Sequence, residues 1–587
     1  MKKVLSYMKA YKKESVLAPL FKLLEATFEL FVPLVMAKII DVGIAQGDKS
    51  YILKMGGVLV LLAAIGLTVS ITAQFFAAKA AVGSCTALRQ AMFDHIMDLD
   101  HSAVDKAGTS TLITRMTSDI AQVQNTVNMV LRLFLRSPVI VFGAMIMAFT
   151  IDVRSALIFT VAIPALAIVV YGVTAWSMPV YKRAQERLDK VLSLTRENLS
   201  GARVIRAFAR EDLEREAFGR ENDTLAGTQT SAARISAITN PVTYVIVNAA
   251  IMYLIYTGAV KVNIGELSQG QVVALLNYMS QILVELLKLA NLFVLFSKGV
   301  ACAKRIEAVL ETDTHPDIDK TAASANAEAD VSVTAPGDDA FIRFEGVGLT
   351  YMGAGDSAIR GVSFAAKKGE TVGIIGGTGS GKTSLVSLAA GFYRATEGAV
   401  FIDGKNIDSY TDEELRKRIS IVPQKAVLFT GSIRDNLKWG NPDADDERLW
   451  SALKIAQADE IVKGKVGGLD EQVEQGGRNF SGGQRQRLTI ARAVAADPEI
   501  LILDDSASAL DYITEKNLRD ALAGMKDTTK FIVSQRASSL IYADRIIVLD
   551  DGEVVGVGTN EELLKTCDVY REIYETQFER SSGEEAV

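Results

Sequence analysis

The sequence predicts two structural parts, an α-helical bundle of six membrane spans with long cytoplasmic helical extensions, followed by an α/β domain of the P-loop type. Three observations support this prediction. The chain has 587 residues, which exceeds the usual size of one domain. Long apolar runs fill the sequence up to about Glu311. Beyond Ala340 the chain instead has the short β-branched and glycine-rich segments of a soluble α/β domain.

Composition and charge narrow the function classes. The formal net charge of -7 argues against a nucleic-acid-binding protein, because it suggests no basic face. The basic start, residues 1–13, lacks the apolar core and cleavage site of a signal peptide, and it fits an amphipathic helix at the cytoplasmic membrane face. The cysteines are too far apart for a metal site or a disulfide framework, so inert thiols in a reducing compartment are expected at Cys85, Cys302 and Cys567.

The membrane part is predicted from apolar runs of about 20 residues, the length that crosses roughly 30 Å of hydrocarbon. We expect the transmembrane domain at residues 1–312, a flexible linker at 313–340, and the α/β domain with a C-terminal helical tail at 341–587. The linker is rich in Ala, Asp, Thr and Pro and has no apolar periodicity. The expected spans lie near residues 16–44, 55–80, 129–150, 156–177, 241–262 and 271–299.

The charges of the connectors predict the orientation. The connectors after the first, third and fifth spans are short and hold few cations, whereas the other two are long, polar and basic. Because cytoplasmic loops carry the excess of Lys and Arg, the long connectors, both termini and the α/β domain are expected in the cytoplasm of a multi-pass cell-membrane protein. Apolar positions at helical spacing, such as Val191, Leu194 and Leu199, predict helices that continue beyond the bilayer.

A glycine-rich motif of the form G-x-x-x-x-G-K-[ST] directly follows the β-branched run Thr371–Ile375, the strand-to-helix context that a P-loop requires. Glycines allow backbone N–H groups to wrap phosphates, and the helix N-terminus adds its positive dipole end. Lysine would neutralise the β- and γ-phosphates and threonine would ligate Mg²⁺, so the predicted cofactors are ATP and Mg²⁺. The predicted nucleotide-binding residues are Gly376, Gly377, Thr378, Gly379, Ser380, Gly381, Lys382, Thr383 and Ser384.

A second motif, Asn479–Arg487, opens an amphipathic helix, and the apolar run Ile500–Asp504 follows as a buried parallel strand that ends in a carboxylate suited to Mg²⁺. The four residues from Ser481 to Gln484 resemble the signature sequence of the ATP-binding cassette (ABC) family. The resemblance covers the whole chain, since about six spans followed by one cassette are typical of half-size exporters of the multidrug type. It therefore implies one half of an ATP-driven exporter.

The family resemblance places further site residues. Gln424 matches the glutamine that reaches Mg²⁺ and senses the membrane domain, and Ser508–Asp511 resembles the loop that crosses to the opposing subunit. Tyr351 resembles the aromatic residue that stacks on adenine, and a buried strand tyrosine is the open alternative. The Mg²⁺ ligands that the resemblance implies are Thr383, Gln424 and Asp504.

The same resemblance implies a head-to-tail pair of cassettes, with each ATP held by the P-loop of one chain and the signature of the other. The signature has the chemistry of an anion receptor, because a hydroxyl, backbone amides and a helix N-terminus lie together. Closing such a pair on ATP would shift the population between two membrane states. The residues expected to bind the partner's ATP in trans are Ser481, Gly482, Gly483 and Gln484.

Two catalytic positions depart from the family pattern. Asp505 stands where a glutamate usually acts as general base, and its carboxylate is one methylene shorter. A misplacement of 1 Å can cost about 100-fold in rate. Gln535 stands where a histidine contacts the γ-phosphate, and glutamine can donate a hydrogen bond but cannot become cationic. No other alignment supplies the histidine, because all three precede the cassette, at His95, His101 and His315.

These substitutions predict an ATP site that binds nucleotide well and hydrolyses it poorly, beside an intact signature. That combination resembles one member of a heterodimeric exporter, whose partner half-transporter has Glu and His at these positions. The expected substrates are amphipathic small molecules or lipids, moved outward across the lipid bilayer. Two alternatives stay open: a homodimeric exporter in which Asp505 is a working base, and an ATP-gated channel or regulatory subunit without net pumping.

Several ionisable residues fall inside the predicted spans. Lys22, Glu25 and Glu29 lie at i, i+3 and i+7, on one face of the first span, and Glu285 and Lys288 lie in the last. Such groups usually face a cavity or a partner. The sequence leaves open whether they form a cation-attracting wall of a transport path or pair with one another to fix helix packing.

Overall fold

The structure is a computed structural model, and it describes residues 2–312, 340–352 and 354–584. The chain divides into two compact units. The first comprises Met1–Asp98 and Thr109–Thr312, and the second comprises Leu99–Gly108 together with Asp313–Val587. The predicted linker lies outside the described residues except for Ala340, at which the first strand begins.

The first unit consists of helices joined by short turns, with no strand among its described residues. A 3₁₀ turn, Tyr7–Tyr11, joins its first two helices, and π-helical turns occupy Ile39–Ile44 and Arg115–Asp119. The helices up to residue 310, of which α4 belongs to the second unit, are α1 Lys2–Ser6, α2 Lys12–Lys38, α3 Lys49–Met97, α4 His101–Ala107, α5 Thr109–Thr114, α6 Ile120–Leu133, α7 Arg136–Ile151, α8 Val153–Ser200, α9 Ala202–Ala207, α10 Glu211–Ala237, α11 Thr239–Asn263 and α12 Gln269–Leu310.

Five helical stretches in the described part of the chain are long and apolar enough to cross a membrane. They contain five of the six predicted spans. The first predicted span, which covers most of α2 and the π-helical turn after it, is not among them. Lys22, Glu25 and Glu29 interrupt its apolar sequence, so its crossing stays a prediction. The five stretches are Lys49–Met97, Thr109–Ile151, Val153–Ser200, Glu211–Asn263 and Gln269–Leu310.

The long helices extend well beyond a bilayer, as the sequence predicts. Helix α8 has 48 residues and is about 72 Å long at 1.5 Å per residue, against roughly 30 Å of hydrocarbon. Its start is fixed by Asp152, whose carboxylate accepts a hydrogen bond of 2.7 Å from the Ser155 amide. Of the apolar residues in its extension, Val191 is buried whereas Leu199 is exposed, so these positions do not form one buried stripe within this chain.

The core of the first unit joins α2, α7, α8, α11 and α12. Phe159, Leu254 and Tyr278 are fully buried there. The hydroxyl of Tyr278 donates a hydrogen bond of 2.6 Å to the Leu30 carbonyl, which satisfies a polar group that would otherwise be buried without a partner. Outward-facing positions are apolar instead, with side chains such as Val60 exposed, as expected of a lipid-facing surface.

The described residues of the second unit form two larger sheets and the two-stranded pair β7-β8. The six-stranded sheet has the order β12-β11-β3-β10-β9-β6, and every neighbouring pair is parallel except β11 with β12. An antiparallel sheet has the order β2-β1-β4-β5. The strands are β1 Ala340–Leu349, β2 Ile359–Lys367, β3 Thr371–Gly376, β4 Glu397–Ile402, β5 Lys405–Asn406, β6 Ile419–Val422, β7 Gly431–Ser432, β8 Gln472–Val473, β9 Ile500–Asp504, β10 Thr529–Val533, β11 Arg545–Asp550 and β12 Glu553–Gly558.

Parallel pairing of β3, β10 and β9 brings their carboxyl ends to one edge of the sheet, where ligands of open α/β sheets bind. These strands are nearly continuous apolar runs because both faces of the sheet are covered. The helices of this unit after the first strands are α13 Lys382–Ala389, α14 Asp412–Arg418, α15 Ile433–Lys438, α16 Asp446–Ile455, α17 Asp459–Lys463, α18 Gly482–Ala495, α19 Tyr512–Ala523, α20 Asn560–Thr566 and α21 Asp568–Glu584.

Helix α4 packs with the second unit although it is distant in sequence. The rings of His101 and Phe392 have centroids 4.5 Å apart, and the Tyr393 hydroxyl donates a hydrogen bond to the Asp105 carboxylate. Hydrogen bonding to Asp105 and burial account for a raised pKa of Tyr393, burial being the larger cause. The sequence patterns did not predict this grouping, because it depends on aromatic contacts between segments almost 300 residues apart.

Candidate nucleotide site

The P-loop lies between β3, which ends at Gly376, and α13, which begins at Lys382. Two of its glycines are sterically required. A Cβ on Gly376 would lie 2.1 Å from the Leu549 carbonyl oxygen, and Gly381 has a φ of 93° with the Ala358 carbonyl oxygen 2.7 Å from its would-be Cβ. The loop thus forms a tightly wound cradle at the carboxyl edge of the sheet, a shape that fits phosphate groups.

The Lys382 side chain is buried inside this loop. Its Nζ donates hydrogen bonds to the carbonyl oxygens of Gly376 at 3.0 Å and Gly377 at 2.6 Å. Burial lowers the pKa of Lys382, and the negative charges of Asp505 and Asp504 act against that shift. The predicted phosphate-binding cation is therefore held next to two carboxylates at the end of β9.

Asp504 and Thr383 are brought together, as the predicted Mg²⁺ ligands require. The Thr383 hydroxyl donates to the buried Asp504 carboxylate, with an Oγ1–Oδ2 distance of 3.0 Å. Burial raises the pKa of the Asp504 carboxyl, the Thr383 hydrogen bond opposes this shift, and the charge of Asp505 adds to it. A buried carboxylate beside a hydroxyl is a hard oxygen donor set, so these residues fit Mg²⁺.

Asp505, for which a general-base role stays a prediction, directly follows β9 and has a hydrogen-bonded backbone. Its backbone N–H donates a hydrogen bond of 3.0 Å to the Val533 carbonyl on the neighbouring strand β10, and its φ is 46°, in the left-handed region. The exposed Gln424, after β6, donates its side-chain amide to Asp505 Oδ2 at 3.3 Å. The structure thus places Gln424, Asp504 and Asp505 around the end of β9.

Tyr351 lies beside the helix that follows the P-loop. Its hydroxyl is 2.9 Å from the Ser384 hydroxyl, and its ring meets the Tyr393 ring edge-on with centroids 5.1 Å apart. The side chain is partly buried, so one hydrogen bond anchors the ring next to the nucleotide-binding residues. Stacking on adenine stays a prediction.

Gln535 is exposed after β10, and its segment is held by a residue that the sequence patterns missed. Gln577, on the C-terminal helix α21, donates its side-chain amide to the Gln535 carbonyl at 2.8 Å. Its side-chain oxygen accepts a hydrogen bond of 2.8 Å from the Ala537 amide. The Gln577 side chain thus bonds the backbone at Gln535 and at Ala537 and holds the segment between them. No local motif predicts this contact, because 42 residues separate Gln535 from Gln577.

The signature begins α18 with a reciprocal cap. The backbone N–H of Gln484 donates to the Ser481 hydroxyl at 3.3 Å, and the backbone N–H of Ser481 donates to the Gln484 side-chain oxygen at 3.0 Å. Ser481 and Gly482 are exposed, and a Cβ added to Gly482 would meet nothing within 4 Å. Among the residues that the structure describes, no hydrogen bond joins the signature to the P-loop of the same chain. The helix N-terminus is thus left open to a group from outside the chain.

Comparison with known proteins decides the family. Residues 15–286 match the model of the ABC transporter transmembrane region, and residues 359–508 match the ABC transporter model of the ATP-binding domain. The chain is 35% identical over 575 residues to an ABC transporter ATP-binding protein of Mycobacterium tuberculosis, with 97% of each chain covered. The chain belongs to the ABC transporter family. Its one membrane region and one ATP-binding domain make it a half-transporter of the exporter type, and family membership makes it an ATP-hydrolysing transporter.

Further relatives of this ABC half-transporter agree over the full length. The protein YfiB of Bacillus subtilis is 34% identical over 584 residues, covering 100% of both chains. The ATP-dependent lipid A-core flippase of Salmonella typhimurium is 27% identical over 570 residues, covering 97% of this chain and 96% of its own. A solved bacterial Atm1-family ABC exporter with ATP bound has the same fold, with a TM-score of 0.76, 22% identity, and 96% and 98% of the two chains covered.

Proposed function

We propose that this chain is the member of a heterodimeric ABC exporter that carries the hydrolysis-impaired ATP site. It binds ATP with Mg²⁺ at its own P-loop and supplies an intact signature to the catalytic site of a partner half-transporter. ATP contacts in this proposal come from Lys382 and the P-loop amides, with Tyr351 against the adenine. When bound to Thr383 and Asp504, Mg²⁺ would neutralise phosphate charge.

The observation that carries the proposal is the fixed backbone at Asp505. Because its N–H is bonded to Val533, the backbone cannot advance to make up for the missing methylene, and the carboxylate stands back from the position that a glutamate would reach. Gln535 adds to this deficit, since its side chain cannot stabilise developing charge as a cation. The rest of the phosphate cradle and the capped signature are complete, which favours nucleotide binding and donation of the signature over local hydrolysis.

Substrate and location follow from the family relatives and from charge. A relative is named a lipid A-core flippase, which supports amphipathic molecules or lipids as the transported class. The basic long connectors support a cytoplasmic location of both termini and of the ATP-binding domain in a multi-pass cell-membrane protein. Transport is outward, as in exporters of this architecture.

Two matched variants in the assembled pair test the proposal. Gly482→Asp places a carboxylate at the exposed signature without a steric clash, and an acidic residue at a helix N-terminus does not destabilise the helix. It repels the partner's γ-phosphate, so we expect ATPase activity to fall about 100-fold. Lys382→Ala damages only the impaired site, and we expect a loss of about threefold or less, because that site contributes little turnover.

The alternatives give different results in the same experiment. In a homodimer with Asp505 as a working base, both variants disable both sites, and equal losses would refute the heterodimer. An ATP-gated channel is favoured by one observation, the aspartate at position 505 where the family usually has a glutamate, because occupancy matters more than turnover if this site hydrolyses ATP slowly. Substrate flux that persists with a non-hydrolysable ATP analogue would establish that alternative.

A further inference from the structure

A polar cavity of about 430 Å³ lies inside the helical unit, between α2, α7 and α12. Ligand pockets commonly have volumes of roughly 300–1,000 Å³, so the space suits a small head group. Its apolar side includes Val32, Met36 and Val284. Its polar side is formed by Glu29, Asn277, Ser280, Gln281, Glu285 and Lys288.

One wall of the cavity is an ion network centred on Arg136. The guanidinium donates to Glu285 at 2.6 Å and to Glu29 at 2.7 Å. Glu285 also accepts from Lys288 at 2.8 Å and, through its other oxygen, from the Ser137 hydroxyl at 2.7 Å. Both oxygens of Glu285 are therefore satisfied within the protein, and this buried carboxylate serves to hold the network together.

The neighbouring pair does not face the cavity. Lys22 donates to Glu25 at 2.5 Å and to the Ser70 hydroxyl at 3.0 Å, and Glu25 lies 3.9 Å from the Arg136 guanidinium. These contacts favour the packing interpretation for Lys22 and Glu25, since each has its partner on the protein. With Lys22 and Glu25 included, the network contains equal numbers of cations and carboxylates and has no net charge.

Two acceptors at the cavity are left without donors. Within the described part of the chain, Glu29 accepts only through Oε2, and nothing donates to its Oε1. The side-chain oxygen of Gln281 is buried and has no hydrogen-bond partner. Glu29 and Lys288 have side chains that are 39% and 44% exposed, so a carboxylate and an ammonium group both remain open to a ligand. An unsatisfied buried acceptor is costly, so a donor bound at the Gln281 oxygen would relieve that cost.

We propose that this cavity binds the head group of a zwitterionic amphipathic molecule. The ligand's ammonium group lies between Glu29 and Gln281, its anionic group lies against Lys288, and its hydrocarbon part follows Val32 and Met36. Because the network is neutral overall, a ligand with net charge would bring an uncompensated charge into the membrane interior, whereas a zwitterion would not. This inference rests on the proposed exporter function and names its substrate class.

Three single-chain lipids with hydrocarbon chains of equal length test the inference on the purified full chain: lysophosphatidylethanolamine, lysophosphatidylglycerol and an alkylamine. The first carries both a phosphate and an ammonium group, the second carries only the phosphate, and the third carries only the ammonium group. Native mass spectrometry measures bound lipid, and ATP binding is measured in parallel as the test of the exporter proposal. We expect the zwitterion to bind at least about tenfold more tightly than the other two, the difference that one charge-assisted hydrogen bond makes.

The variants compare the cavity with its neighbouring pair. Glu29→Gln should weaken the zwitterion about tenfold and leave lysophosphatidylglycerol unchanged, and Lys288→Met should affect the two phosphate lipids equally. Gln281→Leu removes the free acceptor without touching an ion pair, so it tests the site even where a charge variant misfolds. Glu25→Gln is the matched control, one turn away and outside the cavity, and should change binding by less than about twofold.

The outcomes separate this inference from the exporter proposal. The head-group site is supported if Glu29→Gln and Gln281→Leu weaken binding of the zwitterionic lipid while Glu25→Gln does not. Equal binding of the three lipids to a chain that binds ATP overturns the inference and leaves the exporter proposal standing. Equal losses of lipid binding in Glu25→Gln and Glu29→Gln have the same meaning. A chain that binds no ATP overturns the exporter proposal itself.

Discussion

Restoring the two family residues should convert the impaired ATP site into a working one. The change is Asp505→Glu together with Gln535→His, made in the single chain. The backbone N–H of Asp505 is bonded to the Val533 carbonyl, and the Gln535 carbonyl accepts a hydrogen bond from the Gln577 side chain. Both new side chains therefore start from fixed backbones, so the gain should come from side-chain reach and charge and not from rearrangement.

The magnitude follows from that geometry. A methylene moves the carboxylate forward by about 1.5 Å, the length of one carbon–carbon bond. Since 1 Å of misplacement can cost about 100-fold, Asp505→Glu alone should raise kcat by roughly 100-fold. A lost transition-state donor costs about 100- to 1,000-fold, and Gln535 still donates, so the histidine should add a further factor of roughly 10.

The assay is ATP hydrolysis by the purified full chain in lipid nanodiscs, with ATP binding measured separately. Lys382→Ala in each background defines the residual rate that does not come from this site. Asp568→Glu is the matched control for adding a methylene to an aspartate, because its side chain is 93% exposed on α21, and it should leave kcat unchanged.

Brisk hydrolysis by the unmodified chain would refute this reasoning. Asp505 would then be a working base, and a homodimeric exporter would account for the chain. An unchanged kcat in the double variant, with normal ATP binding, would show instead that something other than these two side chains limits turnover. Unchanged ATP affinity with raised kcat is the expected signature of restored transition-state contacts.

Three further predictions address the neighbouring contacts. Tyr351→Ala should weaken ATP binding roughly 10- to 100-fold because stacking on adenine is lost, whereas Tyr351→Phe should keep the affinity within about twofold. If ATP titrations show the same loss of affinity in both variants, Tyr351 has a structural role instead. Gln577→Ala removes two hydrogen bonds to the segment after β10 and should destabilise that segment by about 1–2 kcal/mol, which hydrogen exchange would detect as faster exchange there. Thr576→Ala, at an exposed neighbouring position, should have no effect. Arg136→Ala should lower the free energy of unfolding by roughly 3–5 kcal/mol, because the buried Glu285 loses one of its two cationic partners and Glu29 loses its ion pair. Lys79→Ala removes a half-exposed cation and should cost less than about 1 kcal/mol in the same melting experiment. A similar loss in both lysine and arginine variants would contradict the buried-network interpretation.

Local chemistry made much of this protein predictable from sequence. The P-loop, the strand ending in Asp504 and the capped helix at Ser481 are short motifs in which the backbone conformation and the chemistry depend on adjacent residues. Apolar runs likewise predict membrane helices, because hydrocarbon imposes one length and one polarity on every span. The same rule left the first span undecided, since charges in α2 make its sequence unlike a lipid-facing helix.

Only the tertiary structure decided which distant residues share an environment. It placed Gln577 on the Gln535 segment, grouped Leu99–Gly108 with the ATP-binding unit, and separated the paired Glu25 from the cavity-facing Glu29. Each of these depends on side chains that meet across tens or hundreds of residues, and no spacing rule along the chain encodes such meetings. The sequence by itself determined the domain architecture, the class of transporter and the chemistry of the motifs. Tertiary packing determined which charged groups are paired within the protein and which remain open to a ligand.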